Sequence, residues 1–247
     1  MRFLRRHPAR TTLPDAWRDI LDKHFWLWAN LDDAEQDELG DLTARLLSEK
    51  RWEAANGFAL DPEMTLLIAA QASVLVLGLG FDHFSEVGTI IVHPTTVVLT
   101  GARYSPVRGL MTDGPEAIDG QAVEGGPLVI AWDAVLHDLV HHGGGYNVVF
   151  HEFAHKLDML DRMIDGTPPL PPERLARWVE VCTREYESLR AHGDDVLRDY
   201  AAVNPAEFFA VVTETFFDAP HRLRSHKPDL YGVFADFYNQ DPASRPR

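Results

Sequence analysis

An α+β fold, mostly helical with one small sheet, is what the sequence predicts, and three observations carry it. Apolar residues recur every three or four positions through long stretches before residue 80 and after residue 170. Between these stretches, β-branched residues crowd into 87–100 and again into Leu128-Val129-Ile130. Third, an apolar segment from Val148 to Leu157 carries His151-Glu152-Phe153-Ala154-His155, or HExxH. On a helix, residues four apart lie one above the other, so His151 and His155 aim at a common point.

A chain of 247 residues suffices for one full core. The expected organisation is a flexible basic N-terminus at 1–13 and a single domain at 14–247. That domain comprises a helical part (14–80), the sheet with the HExxH helix (81–166) and a C-terminal helical part (167–247). The first helix, 14–29, places Trp17, Ile20, Leu21 and Phe25 on one stripe. A second, from about Asp32 to Arg51, opens with Asp32 and Glu35 spaced as a capping box. Trp26, Trp28 and Trp52 read as core. Asp61-Pro62 starts a helix so apolar that it is expected at the centre, ending near Gly78. Strands follow at 87–100, with His93-Pro94 as a turn, then a loop rich in Gly and Asp, then a strand at Leu128 to Trp132 and a short helix at Asp133 to Val140.

His141-His142 and three glycines form a loop, where exposed histidines are the simplest reading. The HExxH helix is expected to run to about Gly166, where the proline run 168–172 stops it. A long helix, Glu173 to His192, is expected to bury Leu175, Trp178, Val179, Cys182, Tyr186 and Leu189. Asn204-Pro205 caps the next helix, and the tail from Pro220 to Pro242 holds one short helix around Leu230 to Tyr238.

Composition narrows the function. The content is 45% hydrophobic and 25% charged, with no apolar run long enough to span a bilayer, which argues against a membrane protein. A net charge of −15 repels phosphate backbones and argues against nucleic acid. The lone Cys182 fits a reducing cytoplasm and reads as a buried structural thiol.

The HExxH spacing suits zinc, with Glu152 at the edge of the ligand face as general base. A catalytic zinc needs a third protein ligand. Glu207 and Glu214 are the acidic candidates on a later apolar helix, seven apart and on one face. Glu207 also reads as half of an Asn204 capping box and Glu214 as a surface carboxylate, and spacing alone leaves both open. Asp158 is placed either to accept the outer N–H of a ligand histidine or as a helix-surface charge. The strand at 128–132 is a candidate edge for an extended substrate.

HEFAHKLDML at 151–160 with Asn147-Val148-Val149 before it, Tyr200, NPAEFFAV at 204–211, GPLVIAW at 126–132 and LYGVFADFYNQDP at 230–242 together resemble the Mlc titration factor A family of zinc-dependent peptidases. More remotely, the chain is similar to the catalytic domain of anthrax lethal factor, which shares a tyrosine seven residues before a glutamate and two phenylalanines. The resemblance implies a zincin-like, gluzincin-type core and one Zn2+ per chain, held by His151, His155 and Glu207. It implies Glu152 as base and Tyr200 as the group that assists the oxyanion. The implied substrate is a peptide or protein, cleaved in either aminopeptidase or endopeptidase fashion. The alternative it carries is a binding protein that sequesters a transcriptional repressor of sugar uptake. Arg162-Met163-Ile164 and Ala131 depart from the family pattern and bear on access to the cleft.

Overall fold

In the computed structural model, the described residues are 13–245 except 56, 96, 100–102, 105–110, 113–115, 119 and 123–125. The basic N-terminal stretch therefore lies outside them apart from Leu13, which is buried against Gly40. Most of the Gly/Asp-rich loop is likewise outside the described residues.

Helix α1 (Asp15–His24) turns Leu21 inward, with Phe25 buried just beyond its end. The capping box at Asp32 and Glu35 forms and starts α2 (Asp33–Glu49). Helix α3 (Pro62–Val76), capped by Asp61, is buried continuously from Leu66 to Val76 and packs against α1, α2 and the HExxH helix. This is the central helix its composition implied. Where α2 was expected to continue through Arg51, the chain instead passes directly into strand β1 (Arg51–Ala54).

The main sheet has the order β1-β2-β8-β7, where β2 is Thr89–His93, β7 is Gly120–Ala122 and β8 is Leu128–Ala131. Strands β1, β2 and β8 run parallel, with Ile90 opposite Leu128 and Ile91 opposite Val129, while β7 pairs antiparallel on the far side of β8. So the 128–132 strand is interior, and among the described residues the edges are β1 and β7. Two short antiparallel ladders join β3 (Val97–Leu99) to β6 (Glu116–Ile118) and β4 (Arg103–Tyr104) to β5 (Met111–Thr112). In β2, Ile90 and Val92 are buried while their neighbours are not, the alternation of a strand with one face on a core.

Helix α4 (Trp132–Val140) leads through the glycine loop into α5 (Val148–Asp158), the HExxH helix. It ends eight residues sooner than expected, because a short 3-10 turn (Met159–Asp161) and a left-handed Arg162 at φ 67° break it. Helix α6 (Pro172–His192) buries Trp178, Val181 and Leu189 but leaves Leu175 and Val179 exposed, so its inner face is rotated from the expected one. Helix α7 (Pro205–Asp218) lies against α5. The tail forms two helices rather than one, α8 (Pro220–His226) and α9 (Pro228–Tyr238). Among the described residues, no helix is long and apolar enough to cross a membrane.

Gly166 brings the α5–α6 connector back to the start of α7. Its φ is +75°, and a Cβ there would overlap the Pro205 carbonyl. Gly166→Ala is expected to lower unfolding free energy by about 2 kcal/mol or more, measured by urea denaturation, since strain and overlap add.

Candidate metal centre

Every residue of α5 is buried, and all of α7 after Pro205 is buried, so the polar side chains where the two meet must find partners inside the protein. His151 Nε2 and His155 Nε2 lie 3.1 Å apart. Glu207 Oε2 approaches them at 3.0 and 3.5 Å. The three donors lie within 4.8 Å of one another, and theirs is the one such group of three among the described residues. Despite these distances, Glu207 Oε2 makes no hydrogen bond of acceptable geometry. A buried carboxylate oxygen pointed with two imidazole nitrogens at one spot is the donor set of a metal ion, and the residues fit one.

Asn204 accepts the Glu207 backbone N–H at 2.9 Å and so starts α7. The Glu207 side chain does not close a capping box. It turns instead to the histidines.

Glu214 is no surface carboxylate: at 1% exposure it is buried two turns along the same face. Its Oε1 receives His151 Nδ1 at 2.7 Å, and its Oε2 receives the Asn147 N–H at 2.8 Å. Arg198 adds two charge-assisted bonds, at 2.6 and 2.7 Å. Glu214 thus orients His151 from behind, a position for which Asp158 was one of two readings on sequence grounds. Asp158 is fully buried and accepts the Gly166 N–H at 3.0 Å, because the connector turns back over the end of α5. It makes no hydrogen bond to His155, whose Nδ1 has no hydrogen-bond partner among the described residues. Burial pushes the Asp158 carboxyl up to about 7.

Burial works against a charged imidazole at 151, yet Glu214, Glu207 and Glu152 outweigh it and lift its pKa to about 10. The same negative surroundings attract a cation. Burial also opposes ionisation of Glu207, but the two histidines hold its carboxyl well below the usual range. Glu152 goes the other way, because burial raises its pKa against the pull of both histidines. Its Oε2 has no hydrogen-bond partner among the described residues.

Tyr200 sits in a 3-10 turn (Asp199–Ala202) with its ring 5.9 Å from that of His151 and about half exposed. The Arg198 guanidinium lies 4.7 Å from the Tyr146 ring and 5.7 Å from that of Tyr200. Sequence reasoning missed Arg198 and Tyr146. The available signal was the loop position of Arg198, two residues before Tyr200.

Edge strand β7 passes directly over Glu152. A Cβ on Gly120 would fall 2.5 Å from Glu152 Oε1 and 2.6 Å from its Cδ. His141 and His142 are exposed, as expected of the loop, while Asp218 accepts the Gly143 and Gly145 N–H groups and holds that loop to α7. Cys182 is partly buried, and burial pushes its thiol up to about 12, which suits a structural role.

Comparison with known proteins addresses the whole chain. Mlc titration factor A of Serratia proteamaculans is 34% identical over 252 residues, covering 96% of this chain and 94% of its own. The same-named protein of Edwardsiella ictaluri is 34% identical over 226 residues, with 89% and 85% covered. An uncharacterized protein of Synechocystis sp. is also 34% identical, over 236 residues, with 93% and 86% covered. A family model, described as glucose-regulated metallo-peptidase M90, matches residues 1–239, from before α1 to the end of α9. With that reach and the buried His-His-Glu group inside it, the chain belongs to the glucose-regulated metallo-peptidase M90 family.

Proposed function

We propose that the chain is a zinc peptidase holding one zinc ion on His151, His155 and Glu207. The observation that supports this is the convergence of three buried donor atoms within 4.8 Å, with Glu152 adjacent on α5 but outside the set. Two imidazoles and a carboxylate are a donor set for zinc rather than for magnesium or calcium. Bound there, zinc supplies a Lewis acid for the scissile carbonyl and brings the pKa of water down to about 7.

Glu152 takes a proton from the attacking water and delivers it to the departing amine. A carboxyl whose pKa burial has raised is suited to carrying that proton between the two steps. The Tyr200 hydroxyl, at the open side of the site, stabilises negative charge developing on the carbonyl oxygen. Glu214 and Arg198 keep the His151 Nε2 lone pair aimed inward. An extended peptide or protein segment pairs with β7, the edge strand above Glu152, and the lone cysteine favours a cytoplasmic setting.

Cleavage of a mixed peptide pool, followed by mass spectrometry with chelator and zinc add-back, tests the reading. Cleavage that survives chelation unchanged would overturn it, and the cut positions distinguish aminopeptidase from endopeptidase action. Gly120→Ala is a second test. The added methyl would collide with the Glu152 side chain, so kcat is expected to fall about tenfold or more while the zinc-loaded variant stays folded with one zinc bound.

The relatives' name, Mlc titration factor A, together with the resemblance described above, supports a second reading, in which the chain also binds a transcriptional repressor. Tyr146, Tyr200 and Val203 are exposed apolar residues, the first two flanking Arg198 near the site. If they contact that partner, Val203→Asp is expected to weaken repressor capture by purified protein about tenfold without changing hydrolysis of short peptides.

A further inference from the structure

We propose that His137 and His141 form a second metal site, on the outer face of α4, for a divalent transition-metal ion such as Ni2+, Cu2+ or Zn2+. His137 lies in the last turn of α4, and His141 ends the helix one turn later, its N–H bonded to the His137 carbonyl at 2.9 Å. The two rings stack with centroids 4.4 Å apart and 28° between their planes, and both residues are exposed.

Each imidazole has its Nδ1 against an oxygen. His137 Nδ1 faces Asp138 Oδ1 at 3.2 Å, and His141 Nδ1 faces the His137 carbonyl at 3.0 Å. A carbonyl or carboxylate oxygen accepts, so Nδ1 carries the proton on both rings and Nε2 keeps its lone pair. That is the arrangement by which a ligating histidine is prepared for a metal: the outer N–H held by a carboxylate or backbone oxygen, the other nitrogen free to coordinate. Imidazole nitrogen selects nickel, copper and zinc over magnesium and calcium, and water completes the coordination of a two-histidine surface site.

His142 does not belong to the pair, since its ring stacks on Trp26 at 4.9 Å. The site is separate from the α5–α7 centre but joined to it through one side chain. Asp138, which orients His137 through Oδ1, accepts the Val148 N–H through Oδ2 at 2.8 Å, at the first residue of α5.

The test uses untagged protein loaded with one zinc per chain and freed of excess, titrated calorimetrically with Ni2+ while zinc content is followed. Wild type is expected to take up one further equivalent with the zinc retained. His142→Asn should do the same, whereas the His137→Asn/His141→Asn double variant should take up none. Asp138→Asn keeps an oxygen for the Val148 N–H but turns its amide N–H groups toward His137 Nδ1. The imidazole proton is then driven to Nε2, and Ni2+ affinity is expected to fall about tenfold or more. Cu2+ added to the zinc-loaded wild type should give a paramagnetic resonance spectrum with two coupled nitrogens. Equal Ni2+ uptake by wild type and the folded double variant, or no second equivalent in wild type at millimolar Ni2+, would overturn the proposal.

Discussion

Replacing Glu152 by Gln is expected to lower peptide hydrolysis by about 10²- to 10⁴-fold while zinc content stays at one per chain. The substitution keeps shape and volume in a fully packed position on α5, so it removes one property alone, the ability to take up a proton. Glu152 is poised for that role because burial raises its pKa while His151 and His155 pull it down. A side-chain amide at this position carries no lone pair basic enough to replace the carboxylate. Turnover and metal content measured on the same sample decide the matter, and near-normal turnover in zinc-loaded Glu152→Gln would sink the mechanism.

The second large effect separates the two glutamates of α7. Glu207→Ala removes a donor from the metal-facing side, so zinc content after dialysis is expected to fall toward zero while the helix, still capped by Asn204, stays folded. Glu214→Ala leaves Arg198 without its two carboxylate bonds and His151 Nδ1 and the Asn147 N–H without acceptors. Breaking a buried charged network from one side costs about 3–5 kcal/mol of unfolding free energy. Loss of the group behind a ligand histidine weakens metal binding about 10- to 100-fold. Denaturation and zinc affinity together give opposite patterns for the two variants: metal lost with fold kept, against fold weakened with metal partly kept. The same pattern for both would invalidate the division of labour drawn between them.

How much of this was legible in sequence follows from how local each signal is. The α+β class, α5 with its histidine pair, the Asp32 capping box and the Asn204-Pro205 start of α7 were all legible, because each depends on residues within a few positions of one another. Strand β1 was not, since Arg51-Trp52-Glu53-Ala54 follows α2 with no turn residue and only four positions to alternate. The edge of the sheet was misplaced for a related reason: Gly120-Gln121-Ala122 has no β-branched residue, and only its pairing with β8 makes it a strand. Arg198 looks in sequence like any solvated charge, and Glu214 stayed open there between a metal ligand and a surface carboxylate. Their burial and pairing come from the packing of α7 and the 193–204 connector around α5, which no single stretch of chain encodes. Asp158 was left open between a partner for a histidine and a surface charge, and it is neither, because the connector folds back over the end of α5 and puts the Gly166 N–H on its carboxylate.

The spread of the site along the chain bears on its biosynthesis. Both histidines lie on α5, but Glu207 and Glu214 belong to a helix that begins at Pro205. A ribosome adding about 5–20 residues per second needs seconds to pass from the first histidine to the last of these carboxylates. Until then the growing chain presents His151 and His155 without Glu207 beside them or Glu214 behind His151, so the three-donor group is complete only once α7 has been made.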